Sequence, residues 1–234
     1  MPFVAKATGV ALAKAAALIS TGKTISQLRE NGVLPKSGDG VPNGVSVKEA
    51  VLPWSRFRKV DGTGVDSVLG PEMKSTGEVM GVSSNFGMAF AKSQTAAFGP
   101  LPKQGAVFIS LSERDKDSAW RSARELANLN FKIYATAGTH KFLAEKGIPS
   151  ELVRKNSDQV NDQLSANEVI TKGLVQLVIN TPLGRGSRQD GWLIRSAAIS
   201  RGVPCITTIP GFRAAVSGIT ALQSADFEIK SLQE

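Results

Sequence analysis

Between residues 105 and 234 a short apolar run is followed, five times over, by a stretch with apolar residues at helical spacing, and this alternation restricts the possible folds most. The runs are 106–111 (AVFISL), 131–135, 150–153, 174–179 (LVQLVI) and 204–207; the helical stretches are 115–129, 139–146, 161–172, 190–200 and 210–222. In the first of these helices Trp120, Ala123, Leu126 and Ala127 share one face, and Asp115 sits where a helix N-terminus favours an acid. Gly147, Gly173 and Gly202 stop three of the helices, and Pro210 stands in the first turn of the last. Strands this uniformly apolar must be covered on both faces. The pattern therefore predicts an α/β fold: a doubly wound, mainly parallel five-stranded sheet with helices on both faces.

Upstream the order is different. Turn formers cluster at 35–40, 61–64 and 99–102, and the last cluster is read as a boundary between residues 1–104 and 105–234. The first part offers helices over 10–19, 25–30 and 85–97, and only 47–52 suggests a strand. Such pieces present too little periodic apolar surface to close a core alone. They are read as the tail of something larger, with an irregular subdomain packed on the second domain as the alternative.

Composition narrows the function classes. A single cysteine (Cys205) and a single histidine (His140) argue against disulfide and zinc chemistry, so no metal site is expected. No apolar run approaches the roughly 20 residues of a membrane-spanning helix, and the N-terminus lacks the order of a secretion signal, so a cytoplasmic protein with no membrane partner is expected. A formal charge of +8 favours anionic partners. Basic residues are scattered and aromatics few, which argues against nucleic acid.

Each predicted strand leaves polar residues at its carboxyl end: Ser110 and Ser112 with Lys116; Thr136, Gly138 and Thr139; Arg154 and Lys155; Asn180 and Thr181; Thr207 and Thr208. In an open α/β sheet those ends share one edge with the N-termini of the following helices, where free N–H groups and helix dipoles attract anions. A phosphorylated metabolite suits such a rim. Ser, Thr and Asn are also ordinary helix caps, which remains the alternative for each cluster taken singly. No nucleophile elbow, phosphate-binding P-loop or dinucleotide fingerprint is present, and no catalytic residue is assigned; His140 at a helix start reads as a surface residue more readily than as a general acid.

The run LGPEMKSTGEVMG (69–81), preceded by SVKEAVLPWSRF (46–57) and PFVAKATG (2–9), closely resembles the large subunit of carbamoyl-phosphate synthetase, and 107–234 resembles the methylglyoxal-synthase-like regulatory domain ending that subunit. The resemblance implies that residues 1–104 form the tail of the second ATP-grasp unit, the one that phosphorylates carbamate. It also implies that the metal-binding strand of that unit lies upstream of Pro2. ATP with Mg or Mn would then serve the full-length enzyme and not this chain alone. Implied partners are the rest of the large subunit, the glutaminase small subunit, UMP or IMP, and ornithine, in arginine and pyrimidine biosynthesis. Carried over by position, Ser110, Lys116, Thr136, Thr139, Lys155, Asn180 and Thr181 would contact nucleotide, with the lysines on phosphate; Glu49 and Thr207 would hold ornithine.

Pro182 and Cys205 depart from a threonine and a tyrosine that the family can carry, and 156–164 departs from its basic, glycine-containing loop, so effector preference is left open. A free-standing methylglyoxal-synthase-like lyase is a second reading. It would need a carboxylate base such as Asp158, and the histidine that lyases of this kind carry after the fourth strand is missing from PLGRGSRQDG. A basic nucleic-acid-binding protein is the third, resting on charge alone.

Overall fold

The computed structural model describes residues 2–38, 40, 44–52, 77–155, 162–181, 188–229 and 231. The expected sheet is there: β3 (Ala106–Ser110), β4 (Lys132–Thr136), β5 (Glu151–Val153), β6 (Leu177–Asn180) and β7 (Cys205–Ile206), all parallel, in the order β5-β4-β3-β6-β7. The chain winds outward from β3 to β5, then returns to the other side of β3 and winds out again. β3 and β6 therefore flank a topological switch point, the place where open α/β sheets receive ligands.

Alternation along the strands divides the core. Val107, Ile109, Ile133, Ala135, Leu177, Ile179 and Ile206 face one apolar group, completed by α5 (Lys116–Asn128), α6 (Ala137–Glu145) and α9 (Ile209–Ser224). Ala106, Phe108, Tyr134, Val153 and Val178 face a second, completed by α7 (Ala166–Thr171) and α8 (Arg188–Arg201). Helices thus cover both faces. In α5 the fully buried Ala119, Ala123 and Leu126 recur at the spacing that puts one stripe against the sheet.

The first part contains α1 (Pro2–Thr8), α2 (Leu12–Ser20), α3 (Ile25–Glu30), β1 (Val45–Val51), β2 (Gly77–Ser83) and α4 (Phe86–Ala97). Two expectations are corrected. The strand over 47–52 is not alone: β1 pairs antiparallel with β2, from Val45 opposite Ser83 to Val51 opposite Gly77. The helix expected over 161–172 begins only at Ala166, because Ser165 caps it: its hydroxyl accepts from Glu168 N, and Glu168 reaches back to Ser165 N, at 3.1 and 2.7 Å.

The turn cluster at 99–102 is crossed by a continuous core. Met88, Phe90 and Ala91 of α4 share one apolar group with Phe212, Val216 and Ile219 of α9, and Leu101 is buried in it. The helices approach so closely that a Cβ on Gly87 would strike the carbonyl oxygen of Ser217, and one on Gly218 would lie 2.8 Å from Leu101 Cδ1. Among the described residues no single helix is long and apolar enough to cross a membrane; α1 and α2 form a pair bent by 115°.

Candidate functional site

Parallel register aligns the strand-end residues in a row. Ser110 pairs with Asn180, Ile109 pairs with Ala135 so that Ser110 stands beside Thr136, and Ile179 pairs with Ile206 so that Thr207 follows beside Asn180. Thr136, Ser110 and Asn180 continue the alternation of Tyr134, Phe108 and Val178, hence they project from the face covered by α7 and α8. Neighbours in such a row are about 4.8 Å apart, within the span of one phosphorylated ligand. Thr136 Oγ1 lies 3.3 Å from Ser110 Oγ, which confirms the alignment.

The row is tied to the helix starts. Thr136 immediately precedes α6, yet its hydroxyl makes no capping bond there. It turns instead toward Ser110 and toward Thr139 Oγ1, 3.5 Å away, and Thr139 Oγ1 accepts from Leu111 N at 3.0 Å. On the other side of β3, Thr181 N donates to Ser110 O at 3.1 Å, and Thr181 Oγ1 accepts from Ser112 N at 3.0 Å. Thr136, Thr139, Asn180 and Thr181 are all at most 5% exposed, and the hydroxyls of Thr139 and Thr181 are held by backbone N–H groups.

Lys116 is the first residue of α5, where a positive side chain opposes the helix dipole. Its ammonium is held by Glu113, 2.5 Å away, and lies 3.6 Å from where a Cβ on Gly138 would stand, over the first turn of α6. The cation thus stands against the dipole of its own helix and is balanced by the Glu113 carboxylate.

The remaining expected residues come from β1 and from the ends of β5 and β7. Lys155 is exposed just beyond β5, beside Arg154, whose guanidinium donates to Gln163 O at 2.9 Å and meets Glu168 at 3.3 Å. The Ser165 backbone and side chain, ahead of Lys172 and Arg154, keep the Glu168 carboxyl below its ordinary range. Glu49 is on β1, hydrogen-bonded to the buried Gln94 of α4, and burial pushes its carboxyl up against that bond. Thr207, given the ornithine role, follows β7 and comes next to Asn180 in the row.

His140 Nδ1 is 2.9 Å from Ser150 Oγ, a contact that tethers α6 to the segment leading into β5. Among the described residues no group of three or more His, Cys, Asp or Glu side chains stands close enough to hold a metal ion. Asp158, Pro182 and most of PLGRGSRQDG lie outside the described residues, as do residues 69–76 of the run LGPEMKSTGEVMG. Cys205 is half-buried on β7 against the apolar group beneath α8.

Sequence reading missed Arg195. It is 1% exposed, and its Nη1 donates to Asn180 Oδ1 at 2.7 Å. The signal was available: Gly191, Ile194, Arg195 and Ala198 recur at the spacing of one helical stripe, and all are buried. A charge in the middle of such a stripe calls for a reason.

A family model described as the MGS-like domain matches residues 118–207, from α5 to the end of β7. Along its whole length the chain is similar to the C-terminal part of carbamoyl phosphate synthase large chains. All of it aligns with that protein from Streptomyces griseus at 52% identity, from Mycobacterium sp. (strain JLS) at 54% and from Mycobacterium tuberculosis at 52%. The chain spans 22% of the length of these curated relatives.

Proposed function

We propose that this chain is the regulatory portion of a carbamoyl phosphate synthase large chain and binds a nucleotide effector, UMP or IMP, at the strand-end rim. The observation carrying this reading is the alignment of Thr136, Ser110 and Asn180 across the switch point, with the Lys116 ammonium above the first turn of α6. Hydroxyls, an amide and free helix N–H groups supply directional donors for phosphate and ribose oxygens, and Lys116 supplies charge once Glu113 gives way. Lys155 would close over the phosphate from β5. Ornithine is assigned to Glu49 and Thr207, as a second effector near α4 and the end of β7.

Regulation follows if the effector binds two states of the larger enzyme unequally, with a coupling typically about 1–3 kcal/mol. Its partners would then be the remaining large-chain domains, which use ATP with Mg or Mn, and a glutaminase subunit, in cytoplasmic arginine and pyrimidine biosynthesis. Titration calorimetry of the chain with UMP and with IMP tests the reading. Saturable heat with one of them is expected, with Lys116→Ala and Lys155→Ala each weakening it about tenfold, as for a lost charge-assisted hydrogen bond. No heat with either nucleotide, or affinities unchanged in both variants, would refute it.

A further inference from the structure

We infer that Arg195 is a positioning residue that fixes the side-chain amide of Asn180 so that this point of the rim only donates hydrogen bonds. The inference rests on the effector reading above and adds a residue to it. A guanidinium has donors and no acceptor. The amide edge 2.7 Å from Arg195 Nη1 must therefore be Oδ1, and Nδ2 is turned away from the guanidinium. An asparagine on the surface exchanges the two by rotating about χ2. Asn180 and Arg195 are 4% and 1% exposed, so the rotated form would set an amide N–H₂ against a buried cation.

The surroundings hold Arg195 in place. It comes from α8, on the face from which Asn180 projects, and Gly191 one turn earlier leaves room for it: a Cβ there would lie 2.7 Å from Arg195 Nη1 and 3.5 Å from Asn180 Oδ1. In a medium of low polarity the guanidinium draws electron density toward Oδ1, which strengthens Nδ2 as a donor. Asn180 is thereby matched to anionic or carbonyl oxygens. A ligand offering a donor at this point is rejected, since two facing donors leave both unsatisfied.

A double-mutant cycle on UMP and IMP affinity in the full chain tests this, with Arg195→Met, Asn180→Ala and the pair. Each single variant is expected to bind about tenfold more weakly, and the double variant no worse than Asn180→Ala alone. A purely structural arginine would lower the thermal midpoint but would add its loss to that of Asn180→Ala. Additive losses, or unchanged affinity in Arg195→Met, overturn the inference.

If Arg195→Met does not fold, Gly191→Ala serves, because its methyl group displaces the guanidinium; unchanged affinity in a folded Gly191→Ala counts equally against it. A second readout is the Asn180 side-chain amide NMR pair, expected to shift on nucleotide addition in the parent chain and not in Arg195→Met; no shift in the parent overturns the inference. Failure of the site reading is distinguishable: there the parent shows no nucleotide heat and both proposals fall. Weakened binding in Lys116→Ala with intact binding in Arg195→Met removes this proposal alone.

Discussion

Glu49 carries a carboxyl from β1 into contact with the buried Gln94, and burial raises its proton affinity above the ordinary value while the Gln94 bond partly offsets the rise. Well below pH 4.5 the carboxyl is protonated in folded and unfolded chains alike and has no effect on their balance. As pH rises from 4.5 through the raised folded value, the unfolded chain ionises first and stability falls. Glu49→Gln is expected to melt higher than the parent at pH 7, with the gain vanishing near pH 4; thermal melts across that range check it. Ser110, Thr136 and Asn180 were legible because strand ends converge in any parallel sheet. Arg195 was not, because apolar periodicity shows that a helix has a buried stripe without showing which strand end that stripe meets.

At the level of elements, strands β3 to β7 and their helices could be located from apolar runs and glycine stops, and the misplacements have local causes. The start of α7 is set by the reciprocal bonds of Ser165 and Glu168, which outweigh the polar residues before them. Ser165→Ala is expected to destabilise the chain by about 1 kcal/mol, measured by denaturant titration. Strand β2 escaped notice because Gly77 and Gly81 weaken its strand signal. Its glycine has a packing reason, since a Cβ on Gly81 would strike the carbonyl oxygen of Ala89 in α4. A turn-rich stretch at 99–102 likewise says nothing of Leu101, which anchors it in the core beneath α9.

For the molecule as a whole, the seam between α4 and α9 joins the β1–β2 ribbon to the five-stranded sheet. Gly87→Ala would favour α4 as a helix by up to about 1 kcal/mol, but its methyl group meets backbone of α9, and overpacking of this kind costs about 1–3 kcal/mol. A net loss of stability is expected, read as a lower thermal midpoint with nucleotide affinity retained. The rim is separate from that seam. Ser110, Thr136 and Asn180 occupy the last place of their strands and Thr181 and Thr207 the place after, just past the apolar side chains that seal the sheet. The alphabet written along that edge can be respelled one letter at a time while the scaffold beneath stays put. The exceptions are Thr139 and Thr181, whose hydroxyls accept backbone N–H bonds, and Asn180, which is bound to Arg195 beside Gly191; these would have to change in step with their partners. Descendants of such a chain can drift in what they sense while folding the same way.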